Sequence, residues 1–261
     1  MCLLAVLFRV HPETPLVIAA NRDERFTRPA QPMQVLRPAA PRVLGGRDAL
    51  AGGTWLAVNE HGLCAGLANR PFVSERDQSR RTRGELPLML AGQVRAEEAA
   101  AEFQEKIDCS EYNPCWLLVG DREALFYIVV GRDKKPEVAR LPPGIHVLEN
   151  RPLDAVSAKA QMIRRALAPV SGWPGVALLN GLHGVLRSHR LPAPELSDDD
   201  RNDTGPRPSQ VLAACVHTAV YGTRSAMLII VPPEQDQPPR VHYADGPPCT
   251  APLSDASHLW R

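Results

Sequence analysis

Met1-Cys-Leu-Leu-Ala-Val-Leu-Phe8 opens the chain, and after His11-Pro-Glu-Thr-Pro15 a second apolar run leads into Asn21-Arg-Asp-Glu24. The two prolines of the link cannot extend a strand ladder, so residues 2–10 and 16–20 are expected to pair as a hairpin. Such a hairpin brings the polar cluster at residues 21–24 back beside Cys2. The opening residues lack a basic leader, meet Arg9 early and show no small-residue cleavage site, so they read as a buried strand and not as a secretion signal.

Outward from this hairpin, Thr54-Trp-Leu-Ala-Val58 and Leu63-Cys-Ala-Gly-Leu67 flank the turn-forming Asn59-Glu-His-Gly62, which predicts a second hairpin. Residues 85–92 and 96–107 carry apolar side chains three and four apart and are expected to be helical. Strands are expected at residues 116–120, 124–131, 137–141 and 145–148, joined as one meander by polar turns such as Asp121-Arg-Glu123. Helical spacing returns at residues 157–167 and 175–186, and strands follow at 223–231 and 241–243. That order predicts an α+β fold in one domain over residues 1–261, with helices packed on the outer faces of antiparallel sheets.

With 261 residues, 44% of them hydrophobic and 23% charged, the chain can bury a substantial core. Its 30 basic and 29 acidic side chains leave a formal net charge of +1, so no global field draws it onto nucleic acid or an anionic membrane. The expected partner is a small-molecule substrate or ligand. No apolar run approaches the roughly 18–20 residues of a membrane-spanning helix. Six cysteines without paired spacing predict reduced thiols and a cytoplasmic setting. Gly45-Gly46 and Gly52-Gly53 fit neither a phosphate loop nor a dinucleotide fingerprint and are expected to serve close backbone approach or positive φ.

Cys2 has two readings. Removal of Met1 leaves a thiol and an α-amine on one residue, and an amine titrating near pH ~7.7–8.0 can take the thiol proton as general base. The other reading is a small buried hydrophobe on a strand. The neighbouring cluster bears on the choice: Asp23 can orient the amine, Arg22 can hold a thiolate or a substrate carboxylate, and four polar groups are costly to bury without a use. A solvated turn with local ion pairs is the alternative for that cluster.

Elsewhere, Asp198-Asp-Asp-Arg-Asn202 starts like a calcium loop but lacks the required glycine and bidentate glutamate, so it reads as a solvated loop. His183, His189, His217 and His258 have neither the i, i+4 pairing nor the cysteine companions of a zinc motif and are expected to be structural, with no metal bound. Arg80-Arg81-Thr-Arg83 is either a receiver for a carboxylate, a phosphate or a haem propionate, or a solvated basic loop.

Met1-Cys2, Ala19-Ala-Asn-Arg-Asp-Glu24, Gly52-Gly-Thr-Trp-Leu56, Arg83-Gly-Glu-Leu86 and Tyr221-Gly-Thr-Arg-Ser225 together resemble the successive blocks of the NRDE (transport and Golgi organization) family. Asn59-Glu-His-Gly-Leu63 through Asn69, His146-Val-Leu-Glu-Asn150 and Asp255-Ala-Ser-His258 extend the resemblance along the whole chain. The family is in turn similar to the bile-salt hydrolase and penicillin acylase branch of the N-terminal nucleophile hydrolases. That likeness implies a four-layer αββα sandwich of two antiparallel sheets flanked by helices.

The resemblance also implies roles. Cys2 resembles the nucleophile, Asp23 the carboxylate beside its amine, Asn69 and Asn150 the oxyanion donors, and Arg224 a basic residue near the nucleophile. Asn21, Arg22, Glu24 and Arg83 are the expected substrate contacts. The implied activity is that of an N-terminal cysteine amidohydrolase or acyltransferase acting on a small amide or thioester without a cofactor. The eukaryotic relatives imply a second possibility, a non-catalytic carrier of haem or of acyl-coenzyme A and lipid in the same pocket. Three departures alter the pocket: Ala20 stands ahead of Asn21 where the hydrolases place an arginine, Cys115-Trp116 replaces a Phe-Asn pair, and Glu149 replaces a serine.

Overall fold

The computed structural model describes residues 2–70, 77–193 and 209–261, so Met1 and the Asp198-Asp-Asp-Arg-Asn202 loop lie outside the described residues. The opening hairpin is β1 (Leu3–His11) and β2 (Thr14–Arg25), followed by β3 (Ala30–Arg37), β4 (Val43–Asp48), β5 (Leu56–Asn59) and β6 (Cys64–Asn69). Helices α1 (Glu85–Leu90) and α2 (Ala96–Lys106) lead to β7 (Cys115–Gly120), β8 (Leu125–Val130), β9 (Glu137–Arg140) and β10 (Gly144–Leu148). The chain continues through α3 (Ala158–Leu167), α4 (Gly175–Leu186), β11 (Tyr221–Val231), β12 (Arg240–Ala244) and β13 (Ser254–Asp255).

One sheet has the order β10-β1-β2-β11-β12-β13 and the other runs β3 to β9 in sequence, with antiparallel pairing in both. Alternation along each strand fixes the layers. Leu4, Val6 and Phe8 meet Leu56, Val58 and Leu118 between the sheets, whereas Leu3, Ala5 and Leu7 pack under Ile163, Leu167 and Leu182 of α3 and α4. On the far side Ala65, Leu117 and Val119 pack beneath Leu86, Leu90 and Phe103 of α1 and α2. The result is the αββα sandwich of two antiparallel sheets. No helix among the described residues is long and apolar enough to cross a membrane.

Three details differ from the sequence expectation. The strand at 145–148 leaves the meander and pairs with β1, Leu4 opposite Leu148 and Phe8 opposite Gly144. Pro142 and Pro143 follow β9 and have no N–H with which to continue its ladder, so the chain crosses to the other sheet. β3 and β4 escape the periodicity test because β3 is a largely exposed edge strand, carries Pro32 and is broken by two register shifts. Finally, β2 does not stop at Ala20: β11 pairs alongside it as far as Tyr221 opposite Arg25, which places residues 21–24 inside the strand.

The two glycine pairs serve different needs. A Cβ on Gly45 would lie 2.7 Å from the carbonyl of Leu56, so that position requires close approach. Gly53 has φ +75° and would place a Cβ 2.4 Å from Gly84, which lets the loop before β5 lie against the start of α1.

The turn residue Asn59 is fully buried and fastens two layers together. Its Nδ2 donates to the carbonyls of Ala91 (3.0 Å) and Gln93 (2.6 Å), and its Oδ1 accepts from the N–H groups of His61 and Leu63, both at 3.0 Å. Asn59→Ala strands these buried groups and is expected to cost roughly 1–3 kcal/mol. The check is a lower urea midpoint with an unchanged slope.

Candidate functional site

Cys2 precedes the Leu3–Asn21 pair and packs with the layer between the sheets, as Leu4 and Val6 do. On β2 the same alternation sends Ala19 to the helix layer and Ala20 to the layer between the sheets. The next residues continue it. Arg22 turns to the side of Cys2, whereas Asn21 and Asp23 carry their side chains toward the helices.

A cavity of about 220 Å³ opens here, lined by Cys2, Arg22, Asp23, Asn69 and Arg83, with Thr54, Trp55 and Leu67 as walls. The backbone N–H of Asp23 donates to the Cys2 sulfur. Arg22 is buried, and its Nη1 has no hydrogen-bond partner among the described residues. Glu24, Arg28 and Asp48 also line it. Arg28 is committed to Asp48, through Nε at 2.9 Å and Nη2 at 2.7 Å, and stands 3.7 Å from Glu24.

Behind the cavity, Asp23 is held by two groups that sequence reasoning did not select. Thr223 Oγ1 donates to Asp23 Oδ1 at 2.6 Å, and Lys159 Nζ lies 3.9 Å from Oδ2 with both charged side chains fully buried. Lys159 also donates to the carbonyl of Val211. A signal was present: Lys159 lies one turn before Ile163 on the face of α3 that also buries Leu167, where a lysine needs a partner. Burial pushes the Asp23 carboxyl up from its ordinary value, and Lys159 pulls against that. Burial likewise pushes the Cys2 thiol up and the nearby Asp23 charge adds to the effect, while the positive chain terminus, Arg22 and the Asp23 N–H oppose it.

The remaining expected site residues are placed as follows. Glu24 and Arg83 line the cavity, and Arg83 also donates to the carbonyl of Pro114 at 3.2 Å. Asn69 lines it too, and its carbonyl accepts a hydrogen bond from Nδ2 of Asn150. Asn150 therefore supports Asn69 from behind, with its own Oδ1 buried and unpartnered among the described residues. Asn21 faces away, donating to the carbonyls of Leu186 and Ala214 at 2.8 Å each. Arg224 sits in the bulge between Thr223 and Ser225, and its Nη1 is bonded to the carbonyls of Arg25 (3.1 Å) and Phe26 (2.7 Å), outside the cavity. In the basic cluster Arg80 pairs with Asp77, and Arg81 pairs with Glu85 and Glu111, so only Arg83 reaches the cavity.

A second, larger cavity of about 570 Å³ begins at Arg70, the residue after Asn69. Trp116, Tyr127, Val129, Leu141 and Leu153 wall it, and His146 and Arg164 also line it.

Over residues 1–242 the chain matches the family Transport and Golgi organisation 2. The chain belongs to this family. It is 28% identical over 250 residues to the Transport and Golgi organization 2 homolog of Mus musculus, with 88% of each chain covered. Among solved structures it is similar to a mutant of conjugated bile acid hydrolase from Clostridium perfringens, with TM-score 0.52, 12% identity, and 99% of this chain and 93% of that chain covered. It is similar as well to the Caenorhabditis elegans N-acylethanolamine-hydrolyzing acid amidase ortholog, with TM-score 0.52, 13% identity, and coverages of 91% and 98%. These likenesses establish the fold, that of the N-terminal nucleophile hydrolases.

In this member of the family the raised Cys2 thiol predicts a specific pH profile. Alkylation of Cys2 by iodoacetamide, followed by peptide mass, is expected to reach half-maximal rate above the ordinary thiol value of about 8.5. Asp23→Asn removes a charge that raises the thiol, so the midpoint moves to lower pH. A midpoint unmoved by that substitution contradicts the coupling.

Proposed function

We propose that this chain is a cysteine-nucleophile hydrolase or acyltransferase acting on a small amide or thioester. One observation carries the reading: a single cavity brings together the Cys2 sulfur with the Asp23 N–H upon it, Asn69, and an Arg22 guanidinium with a nitrogen that has no partner among the described residues. Buried polar groups without partners are rare in folded proteins unless something else satisfies them.

On this reading, loss of Met1 frees the Cys2 amine, which takes the thiol proton. The sulfur forms a bond to the substrate carbonyl carbon, and Asn69 stabilises the resulting oxyanion. The bond to the leaving amine or thiol then breaks as that group receives the proton. Water, or an acceptor in the transferase case, attacks the thioester; the carbon–sulfur bond breaks and the proton returns to Cys2. Asp23, anchored by Lys159 and Thr223, orients the amine, Asn150 positions Asn69, and Arg22 receives an anionic group of the substrate. A reducing, cytoplasmic setting keeps Cys2 available, in keeping with six free cysteines.

The second cavity favours a second reading, a carrier that binds without turnover. Its size falls within the roughly 300–1,000 Å³ of small-molecule sites; its apolar walls suit an acyl chain or a macrocycle such as that of acyl-coenzyme A or haem, and Arg70 and Arg164, set against Glu137 and Asp154 in the same lining, are the groups that would meet its anionic ends. Burial holds His146 below its ordinary pKa, and its Nε2 lies 2.9 Å from the Pro142 carbonyl, which would leave neutral Nδ1 as the available iron ligand.

Intact-mass analysis with a broad cysteine-directed acylating probe separates the two. The enzyme reading expects Met1 to be absent and one acyl adduct that Cys2→Ala removes. It also expects small amide or thioester hydrolysis that Cys2→Ala abolishes and Asn69→Ala lowers roughly 10²–10³-fold in kcat. A retained Met1 with an unreactive Cys2, together with saturable hemin or acyl-coenzyme A binding, sinks it in favour of the carrier.

A further inference from the structure

Away from the cavity, four side chains far apart in sequence converge. His189 follows α4, Cys215 and His217 precede β11, and Cys249 lies between β12 and β13. One ligand atom from each lies within 4.8 Å of the other three. We propose that His189, Cys215, His217 and Cys249 form a structural zinc site of the two-cysteine, two-histidine type.

The spacings fit the ion. Zinc binds sulfur at about 2.3 Å and imidazole nitrogen at about 2.0–2.1 Å, so a tetrahedron separates two sulfurs by about 3.8 Å and a sulfur and a nitrogen by about 3.6 Å. The Cys215 and Cys249 sulfurs are 3.7 Å apart, and His217 Nε2 lies 3.6 Å from the first and 3.2 Å from the second. A disulfide would need about 2.05 Å between the sulfurs.

The surroundings orient the ligands before any ion arrives. His189 Nδ1 lies 3.0 Å from the carbonyl of Cys215, which fixes the tautomer and leaves Nε2 for the metal. The Cys215 N–H donates to the carbonyl of Ser188, drawing the first two ligands together. Cys249 sits in a turn in which Thr250 and Ala251 donate back to Pro247, and His183 is bonded to the carbonyl of Pro248. Binding Zn²⁺ to two thiols and two neutral imidazoles releases up to two protons and leaves a neutral centre. Four protein ligands fill the coordination sphere, so the role is structural.

What it would hold is the back of the Cys2 site. Ala214 accepts from Asn21, and the Val216 N–H donates to Thr223 Oγ1, which in turn donates to Asp23. A cross-link at residues 215 and 217 therefore fixes the segment on which two β2 side chains lean.

The test is metal analysis of the full chain purified under reducing conditions, followed by Co²⁺ substitution. The expected result is about one zinc per chain and the intense visible bands of tetrahedral cobalt with thiolate charge transfer. Cys249→Ser abolishes the charge-transfer contribution of one sulfur and the stoichiometric zinc. Since that change also removes a packed side chain, the exposed His189→Ala is the second variant. It is expected to keep the circular dichroism of the parent and to weaken zinc by more than the roughly 10–100-fold that loss of a supporting hydrogen bond costs. Wild-type protein that carries no zinc and shows no tetrahedral cobalt spectrum overturns the proposal. So does a Cys215–Cys249 disulfide forming in place of metal uptake, or His189→Ala leaving zinc affinity unchanged.

Discussion

The pairing of Asp23 with Lys159, in a place neither can share with water, constrains much of this molecule. A charge taken from solvent alone is expensive, and removing one member of such a pair strands the other at a cost of about 3–5 kcal/mol. The pair ties α3 to β2, and through Thr223 it ties β2 to β11, the two central strands of their sheet. Because Asp23 also presents its N–H to Cys2, the same residue that locks the helix layer sets the electrostatics of the thiol. Packing and chemistry therefore meet at one carboxylate.

Strand alternation explains how so few residues serve both purposes. On the face between the sheets, Cys2 and Arg22 look into the cavity; on the opposite face, Asn21 and the Asp23 carboxylate fasten the strand to α4, the Ala214 segment and α3. Asn-Arg-Asp-Glu is in this sense two motifs interleaved, one for the pocket and one for its support. A slip of one residue in the β1–β2 register would exchange the two faces, and the long pairing of β2 with β11 opposes such a slip.

This interleaving also marks where the sequence stops being readable. The helices followed from periodicity, because each buries one face, and most strands followed from short apolar runs bounded by turn residues, since they are buried on both faces; the ordered blocks pointed to the family. The gathering of Cys2, Arg22, Asp23, Glu24, Asn69 and Arg83 around one cavity could be anticipated from the hairpin and those blocks. The destinations of Asn21 and Arg224 could not, since one depends on which strand face is buried and the other on a bulge that turns a guanidinium toward three backbone carbonyls. Lys159 was legible in principle as a charge on an apolar helical stripe. The histidine and cysteine cluster was not, because its members come from three separate segments and have no local spacing to betray them.

Charge accounting narrows what the cavity receives on the proposed reading. Arg28 is neutralised by Asp48 with Glu24 close by, and Asp23 is neutralised by Lys159. Arg22 keeps a buried nitrogen without a hydrogen-bond partner among the described residues, in the same cavity as Cys2. A guanidinium left in that state loses solvation without compensation, and the group that restores it most completely is an anion with two acceptor oxygens. The substrate best matched to this site therefore carries a carboxylate or a comparable anion close to the carbonyl that Cys2 attacks.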